Sequence, residues 1–261
     1  MKSFNFKSAK NTKEATKMAV GRATFLAGGM TLLPAIKLRL AAYSDLINIK
    51  KIKALSGIKV SSKSLRIGAT TTHAEVASSK EVGKSISSLA VLADGIGDPQ
   101  VRNRGTIGGS IANNDPAADY PSACLALNAT IHTSKRKIPA NKFFKGMFET
   151  DLKKGELIES VEFEVPEKSA YAKFPNPASR YAIVGVYVAK LKKEVRVAVT
   201  GVESFVFRCK KLEDALTNNF SPSVIDNITI SSKGFNSDIH ASAEYRAHII
   251  KVMTKKAVSS C

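Results

Sequence analysis

Two diglycine segments set the terms for this chain. The first is Ala27-Gly28-Gly29-Met30-Thr31, and the second is Thr106-Ile107-Gly108-Gly109-Ser110, which runs on to Asp115-Pro116-Ala117-Ala118-Asp119-Tyr120-Pro121. Paired glycines remove side chains where a backbone must come close to something, and the flanking hydroxyls of Thr31, Thr106 and Ser110 offer hydrogen bonds at the same place. Each segment reads as a strand-to-helix connection. Asp115 is expected to cap a helix with Pro116 as its first residue, so that free N–H groups and the positive dipole end would favour an anion. One diglycine alone is equally well read as a tight turn. Two of the same design suggest a single extended, phosphate-bearing ligand held from two sides. Neither segment matches the G-x-G-x-x-G fingerprint or the G-x-x-x-x-G-K-[ST] phosphate loop, which argues against a Rossmann or P-loop domain.

With Asp98-Pro99-Gln100-Val101-Arg102, Gly155-Glu156-Leu157-Ile158 and Ser242-Ala243-Glu244-Tyr245-Arg246 in this order, the pair resembles the FAD-binding middle subunit of the molybdenum hydroxylases. That family contains xanthine dehydrogenase and aerobic carbon monoxide dehydrogenase, and the resemblance covers nearly the whole chain. It implies an α+β chain with a two-subdomain PCMH-type FAD-binding fold followed by a smaller α+β C-terminal domain with an antiparallel sheet. The expected division is residues 1–167, with subdomains of about 1–57 and 58–167, and then residues 168–261.

By the same resemblance FAD is the cofactor. Its contacts would be Ala27, Gly28, Gly29, Met30 and Thr31 in the first segment and Thr106, Ile107, Gly108, Gly109 and Ser110 in the second. Asp119, Ile158, Lys173 and Tyr181 would complete the set, with Ile107 packed on the isoalloxazine and Tyr181 near its other face. Met30 departs from the family, which commonly carries glutamine or histidine there. The resemblance implies no general base or nucleophile in this chain. Molybdopterin and 2Fe-2S clusters belong to the expected partners, a large and a small subunit, with a dimer of heterotrimers as the assembly. Electrons would pass from the clusters through FAD to an external acceptor.

The residues themselves bound the alternatives. Hydrophobic residues at 44% and charged ones at 24% describe an ordinary globular protein. No run of about twenty apolar residues is present for a membrane span. The N-terminal stretch lacks the apolar core of a signal peptide, so a cytoplasmic location is expected. Cys124, Cys209 and Cys261 are far apart without a C-x-x-C pair, which argues against a disulfide framework or a cluster in this chain. His73, His132, His240 and His248 show no metal spacing and are expected on the surface or satisfied in the core. The net charge of +18 raises nucleic-acid binding as a competing function, but no basic run is interleaved with stacking aromatics. A lysine-rich solvated surface, or an acidic partner subunit, accounts for the charge. A stand-alone flavin oxidase is the other competitor, opposed by the short C-terminal region.

Along the chain, strands are expected at residues 3–6, 23–26 (buried), 46–49, 65–69, 129–133 with a hairpin partner after Lys137, 161–165, 181–191 and 195–202. Helices are expected from the Asn11 cap to about Val20, over residues 32–40 with Leu32, Leu33, Ile36 and Leu40 on one face, from the Thr72 cap to Val76, and at 88–93, 121–127, 211–216 and 243–258. Residues 168–177, punctuated by prolines, read as a linker.

Overall fold

The computed structural model describes residues 2–261. The N-terminal part is a three-stranded parallel sheet, in which Asp45–Asn48 lies between Asn5–Ser8 and Ala23–Leu26. Parallel neighbours need crossovers, and the helices Thr12–Met18 and Leu32–Lys37 supply them. Asn11 starts the first helix as expected, its side-chain oxygen accepting the Glu14 N–H at 2.9 Å. The second helix stops short of the expected end. Arg39 turns to φ 62°, and Leu40 is 79% exposed, so of the expected apolar face only Ile36 is fully inside. Strand Ala23–Leu26 is half-buried along its length, not fully buried. One face packs on the core around Ile47, and the strand borders the cavity described below.

A five-stranded antiparallel sheet follows, in the order Ile58–Val60, Ser64–Gly68, Ile158–Glu164, Thr130–Thr133 and Lys137–Pro139. The late strand Ile158–Glu164 takes the centre because Val161 and Phe163 alternate into the core. The connection from Gly68 to Thr130 is a cluster of helices. Thr72 caps His73–Ser78 with a reciprocal capping box to Glu75, and Ser87–Asp94 and Tyr120–Ala126 form largely as expected. Two further helices, Lys80–Ser85 and Pro99–Arg104, were not expected. Both begin on ordinary signals: the Ser79 hydroxyl accepts from Val82 N–H, and Asp98 accepts from Val101 N–H ahead of Pro99.

Residues 168–177 are not a linker. Lys168–Pro175 is an edge strand of a four-stranded antiparallel sheet whose order is Lys168–Pro175, Ala182–Lys190, Val195–Thr200, Phe207–Arg208. Ala170 and Ala172 alternate into its core, and the proline closes the strand where the register shifts, as an edge allows. Helices Lys210–Asn218 and Ala243–Ser259 cover one face of this sheet, where Val184, Val186 and Val188 meet Ile250 and Met253. The other face joins the N-terminal core. Tyr187 and Ala189 pack with the helix cluster, and the Tyr187 and Ser88 hydroxyls lie 2.6 Å apart. Among the described residues no helix is long and apolar enough to cross a membrane.

Candidate cofactor cavity

One cavity of about 590 Å³ opens where the two diglycine segments meet the turn at residues 179–181. That volume lies within the usual range for small-molecule and cofactor pockets. Its wall gathers Ala27, Gly28, Gly29, Met30, Thr31, Thr106, Gly108, Gly109, Ser110, Asp119, Ile158 and Tyr181. Ile107 and Lys173 are not on that wall. Ile107 is fully buried in the core, and Lys173 reaches the cavity only through Asp119.

The first segment presents bare amides. Gly29 takes φ 74°, and the N–H groups of Gly28, Gly29, Met30 and Thr31 have no hydrogen-bond acceptor among the described residues. Four successive unpaired amides at a loop that turns into a helix form a concavity suited to an anion. Gly28 has a second constraint. A Cβ there would lie 2.9 Å from the Gly105 Cα and closer still to the Arg104 carbonyl, so the first segment is pressed against the start of the second.

The second segment is built differently. It connects two helices and not a strand to a helix, because Thr106 caps Ile107–Asn113 and the glycines sit inside that helix's first turn. Its amides from Ile107 to Ser110 are all engaged. Ile107 N–H donates to the Thr71 carbonyl at 3.1 Å, Gly108 N–H to Ala69 at 2.9 Å and Ser110 N–H to Thr106 at 2.9 Å. Gly109 N–H donates to the Thr106 hydroxyl at 3.1 Å. The hydroxyl protons of Thr106 and Ser110 remain available to a ligand. Asp115 does not cap a helix. Asn114, left-handed at φ 45°, ends the preceding one, and the Asp115 carboxylate accepts the Ala117 N–H at 2.9 Å within a turn. The next helix begins at Tyr120 with Pro121 in its first turn.

Asp119 is a buried acid on the cavity wall. Its carboxylate accepts from the Tyr171 hydroxyl and pairs with the Lys173 ammonium at 3.0 Å. Lys173 also donates to the Gly95 carbonyl at 2.7 Å, which ties the C-terminal sheet to the helix cluster. Burial pushes the Asp119 carboxyl above its ordinary value even against the pull of Lys173. Burial likewise raises Asp115. Glu156 goes the other way: burial opposes ionisation, but hydrogen bonds from Arg136, the Lys153 N–H and Thr133 hold it at about 2.

His73 is the residue that sequence reasoning missed. It lies on the cavity wall, 5% exposed, and burial lowers it to about 4. It is neither a surface histidine nor a satisfied core one, because its Nδ1 is buried without a partner. Its place directly after the capping Thr72 was the one signal available, since that fixes it at the packed end of a helix. His132 pairs with Glu162 at 2.8 Å, and His240 and His248 are exposed. Among the described residues no three or more His, Cys, Asp or Glu side chains stand together to hold a metal. The bare amides, the free hydroxyl protons and a wall with apolar residues at Leu26, Leu157 and Ile158 suit a flavin dinucleotide in chemistry and size.

Comparison with known proteins agrees with that chemistry. Residues 2–167 match the family model for the FAD binding domain in molybdopterin dehydrogenase, and residues 169–261 match the carbon monoxide dehydrogenase flavoprotein C-terminal domain. The glyceraldehyde dehydrogenase medium chain of Sulfolobus acidocaldarius is 36% identical, over 97% of this chain and 96% of that protein. The 6-hydroxypseudooxynicotine dehydrogenase complex subunit alpha of Paenarthrobacter nicotinovorans is 31% identical, over 98% and 94%. Among solved structures, the carbon monoxide dehydrogenase of Hydrogenophaga pseudoflava superposes with a TM-score of 0.88 at 31% identity, covering 99% of this chain and 96% of that one. This chain belongs to the FAD-binding medium subunits of the molybdenum hydroxylase family, a family of oxidoreductases.

Proposed function

We propose that this chain is the electron-transfer flavoprotein of a multi-subunit molybdenum hydroxylase. In this reading a molybdopterin-binding large subunit hydroxylates the substrate, and a 2Fe-2S small subunit relays electrons to the FAD held here and on to an external acceptor. FAD, when bound, takes electrons singly and releases them as a pair. The chain's own part is to bind, orient and exclude water. The amides of Gly28, Gly29, Met30 and Thr31 hold the diphosphate, and the hydroxyls of Thr106 and Ser110 add donors from the other side. Asp119, held by Lys173 and Tyr171, supplies a fixed acceptor. Ile158 and Tyr181 bound the flavin end of the cavity, and Ile107 supports its floor from the core.

The observation that carries this reading is the convergence of both diglycine segments, Asp119, Ile158 and Tyr181 on one cavity beside four bare amides. The division into residues 1–167, with subdomains 1–57 and 58–167, and residues 168–261 belongs to the same reading, as do a dimer of heterotrimers and a cytoplasmic location. The subunits that resemble this chain belong to enzymes named for glyceraldehyde, 6-hydroxypseudooxynicotine and carbon monoxide. Substrate choice therefore rests with another subunit. Purified protein should be yellow, with about one noncovalent FAD per chain, since among the described residues no cysteine, and no histidine other than the buried His73, lines the cavity where a flavin could be attached. Colourless protein that fails to take up added FAD would overturn the reading. Rapid reduction of its flavin by NADH without partner subunits would turn it toward a stand-alone oxidase.

A further inference from the structure

His73 carries an unspent hydrogen bond. Its backbone is fixed twice, by the Thr72–Glu75 capping box and by its own N–H donating to the Gly105 carbonyl at 3.0 Å. Its ring lies against Tyr120, with centroids 5.4 Å apart and planes inclined at 43°. Among the described residues neither ring nitrogen has a hydrogen-bond partner, and Nδ1 is the buried one of the two. Nε2 faces Gly105, for a Cβ on Gly105 would lie 2.6 Å from it, and Gly105 in turn touches Gly28 of the first segment. The ring is therefore one residue away from the bare amides, on the wall of the same cavity.

A residue kept only for packing would not bury Nδ1 unpaired, because it loses its hydrogen bond to water. One tautomer reduces that loss. An orphan N–H is rarer in buried sites than an orphan lone pair, and Nδ1 is the orphaned atom. Nδ1 then carries the lone pair and Nε2 the proton, which makes Nε2 a fixed donor at the cavity wall. We propose that His73 Nε2–H donates to a diphosphate oxygen of the bound cofactor, a contact that rests on the cavity being the FAD site.

The test uses the full chain freed of flavin and titrated separately with FAD and with ADP, in the wild type and in His73→Phe, His73→Gln and His73→Asn. A hydrogen bond to a charged oxygen predicts roughly 10- to 100-fold weaker binding of both ligands by His73→Phe. His73→Gln, whose amide nitrogen reaches about as far as Nε2, should stay within several-fold of the wild type, and His73→Asn, which is too short, should not. Should the phenylalanine variant misfold, the glutamine and asparagine pair carries the test alone. Equal FAD affinity in all three variants overturns the contact, and so does a loss for FAD with ADP unaffected. A wild-type chain that binds neither ligand overturns the cofactor reading itself, which is a separate result.

Discussion

The two diglycine segments look alike as strings and do different work as structure. In the first, the glycines free the backbone: Gly29 adopts a left-handed turn and four amides are left bare toward the cavity. In the second, every amide from Ile107 to Ser110 is already bonded within the protein, and Gly108 is a glycine because Ala69 lies against it. A Cβ on Gly108 would come within 2.6 Å of the Ala69 Cβ. One segment is a ligand cradle. The other is a packing wedge that brings two hydroxyls and one exposed glycine to the cavity. Glycine permits both uses, and only the hydrogen-bond accounting tells them apart.

Placing a side chain at the buried glycines tests this difference most severely. Gly28→Val presses on the Arg104 backbone and Gly108→Val on Ala69, and neither obstacle is the end of a flexible side chain. Each should cost about 3 kcal/mol of stability, and Gly28→Val should also abolish FAD uptake by parting the two segments. Chemical denaturation of the flavin-free variants gives the answer. Wild-type stability in Gly108→Val would mean that the second segment is a ligand loop after all.

His73, wedged behind Gly105 at the junction of the two segments, gives the next effect, and its sign follows from linkage. Folding lowers its pKa from 6.5 to about 4 through burial. Between those values the unfolded chain holds a proton that the folded chain does not, so this contribution is complete above pH 6.5 and is lost as pH falls toward 4. A shift of that size corresponds to about 3 kcal/mol. Asp119, raised by burial, acts with the opposite sign above its ordinary value, so the quantity to measure is the difference between wild type and His73→Phe. Glu156 loses its contribution only lower, from about 4.5 toward 2, outside the window. A difference that does not change between pH 6.5 and 4.5 would show that His73 is not sealed in.

Much of this architecture is legible in the chain because short-range chemistry decides it. Asn11, Thr72 and Ser242 cap the helices they precede, and the alternation of Val161 and Phe163 marks a strand that proves to be central. The failures come where a partner distant in sequence decides. Asp115-Pro116 has the residues of a helix start, but Asn114 is pinned by amide hydrogen bonds to the Gly146 and Glu149 carbonyls, and the chain turns instead. Residues 168–175 have linker composition but pair along their length with Ala182–Lys190. That the two diglycine segments share one cavity was legible in their common design, whereas the places of Asp119, Ile158 and Tyr181 on it were legible only through family resemblance. His73 was legible only in its place after the Thr72 cap, because the lack of a partner for a buried histidine has no local signature.

A smaller and more selective change separates the second segment's two glycines. Gly109 is exposed, and a Cβ there would meet only the Thr106 hydroxyl, at 2.9 Å. That capping hydroxyl must shift to admit the methyl, which offsets the gain in helix propensity, so Gly109→Ala should leave the fold intact with stability within about 1 kcal/mol of wild type. Its methyl enters the space reserved for the cofactor and should weaken FAD binding roughly tenfold, about 1.4 kcal/mol. Affinity unchanged in Gly109→Ala would take Gly109 out of contact with the cofactor and leave only the Thr106 and Ser110 hydroxyls on that side.

The smallest effect falls on Met30, where the family commonly carries glutamine or histidine. The side chain is 38% exposed at the cavity wall, while the Met30 N–H is one of the four bare amides. If the first segment acts through its backbone, the side chain is nearly free to vary. A polar replacement adds at most one solvent-exposed hydrogen bond, for which water competes. Met30→Gln should then tighten FAD binding by less than about fivefold, below 1 kcal/mol, with stability unchanged. Comparing the FAD affinities of Met30→Gln and wild type at matched salt measures the side chain's share. A gain of a hundredfold would mean that the family's polar residue is a principal ligand and that four bare amides alone make a weak cradle. A gain near zero would place the binding in the backbone, where the contrast with the second segment puts it.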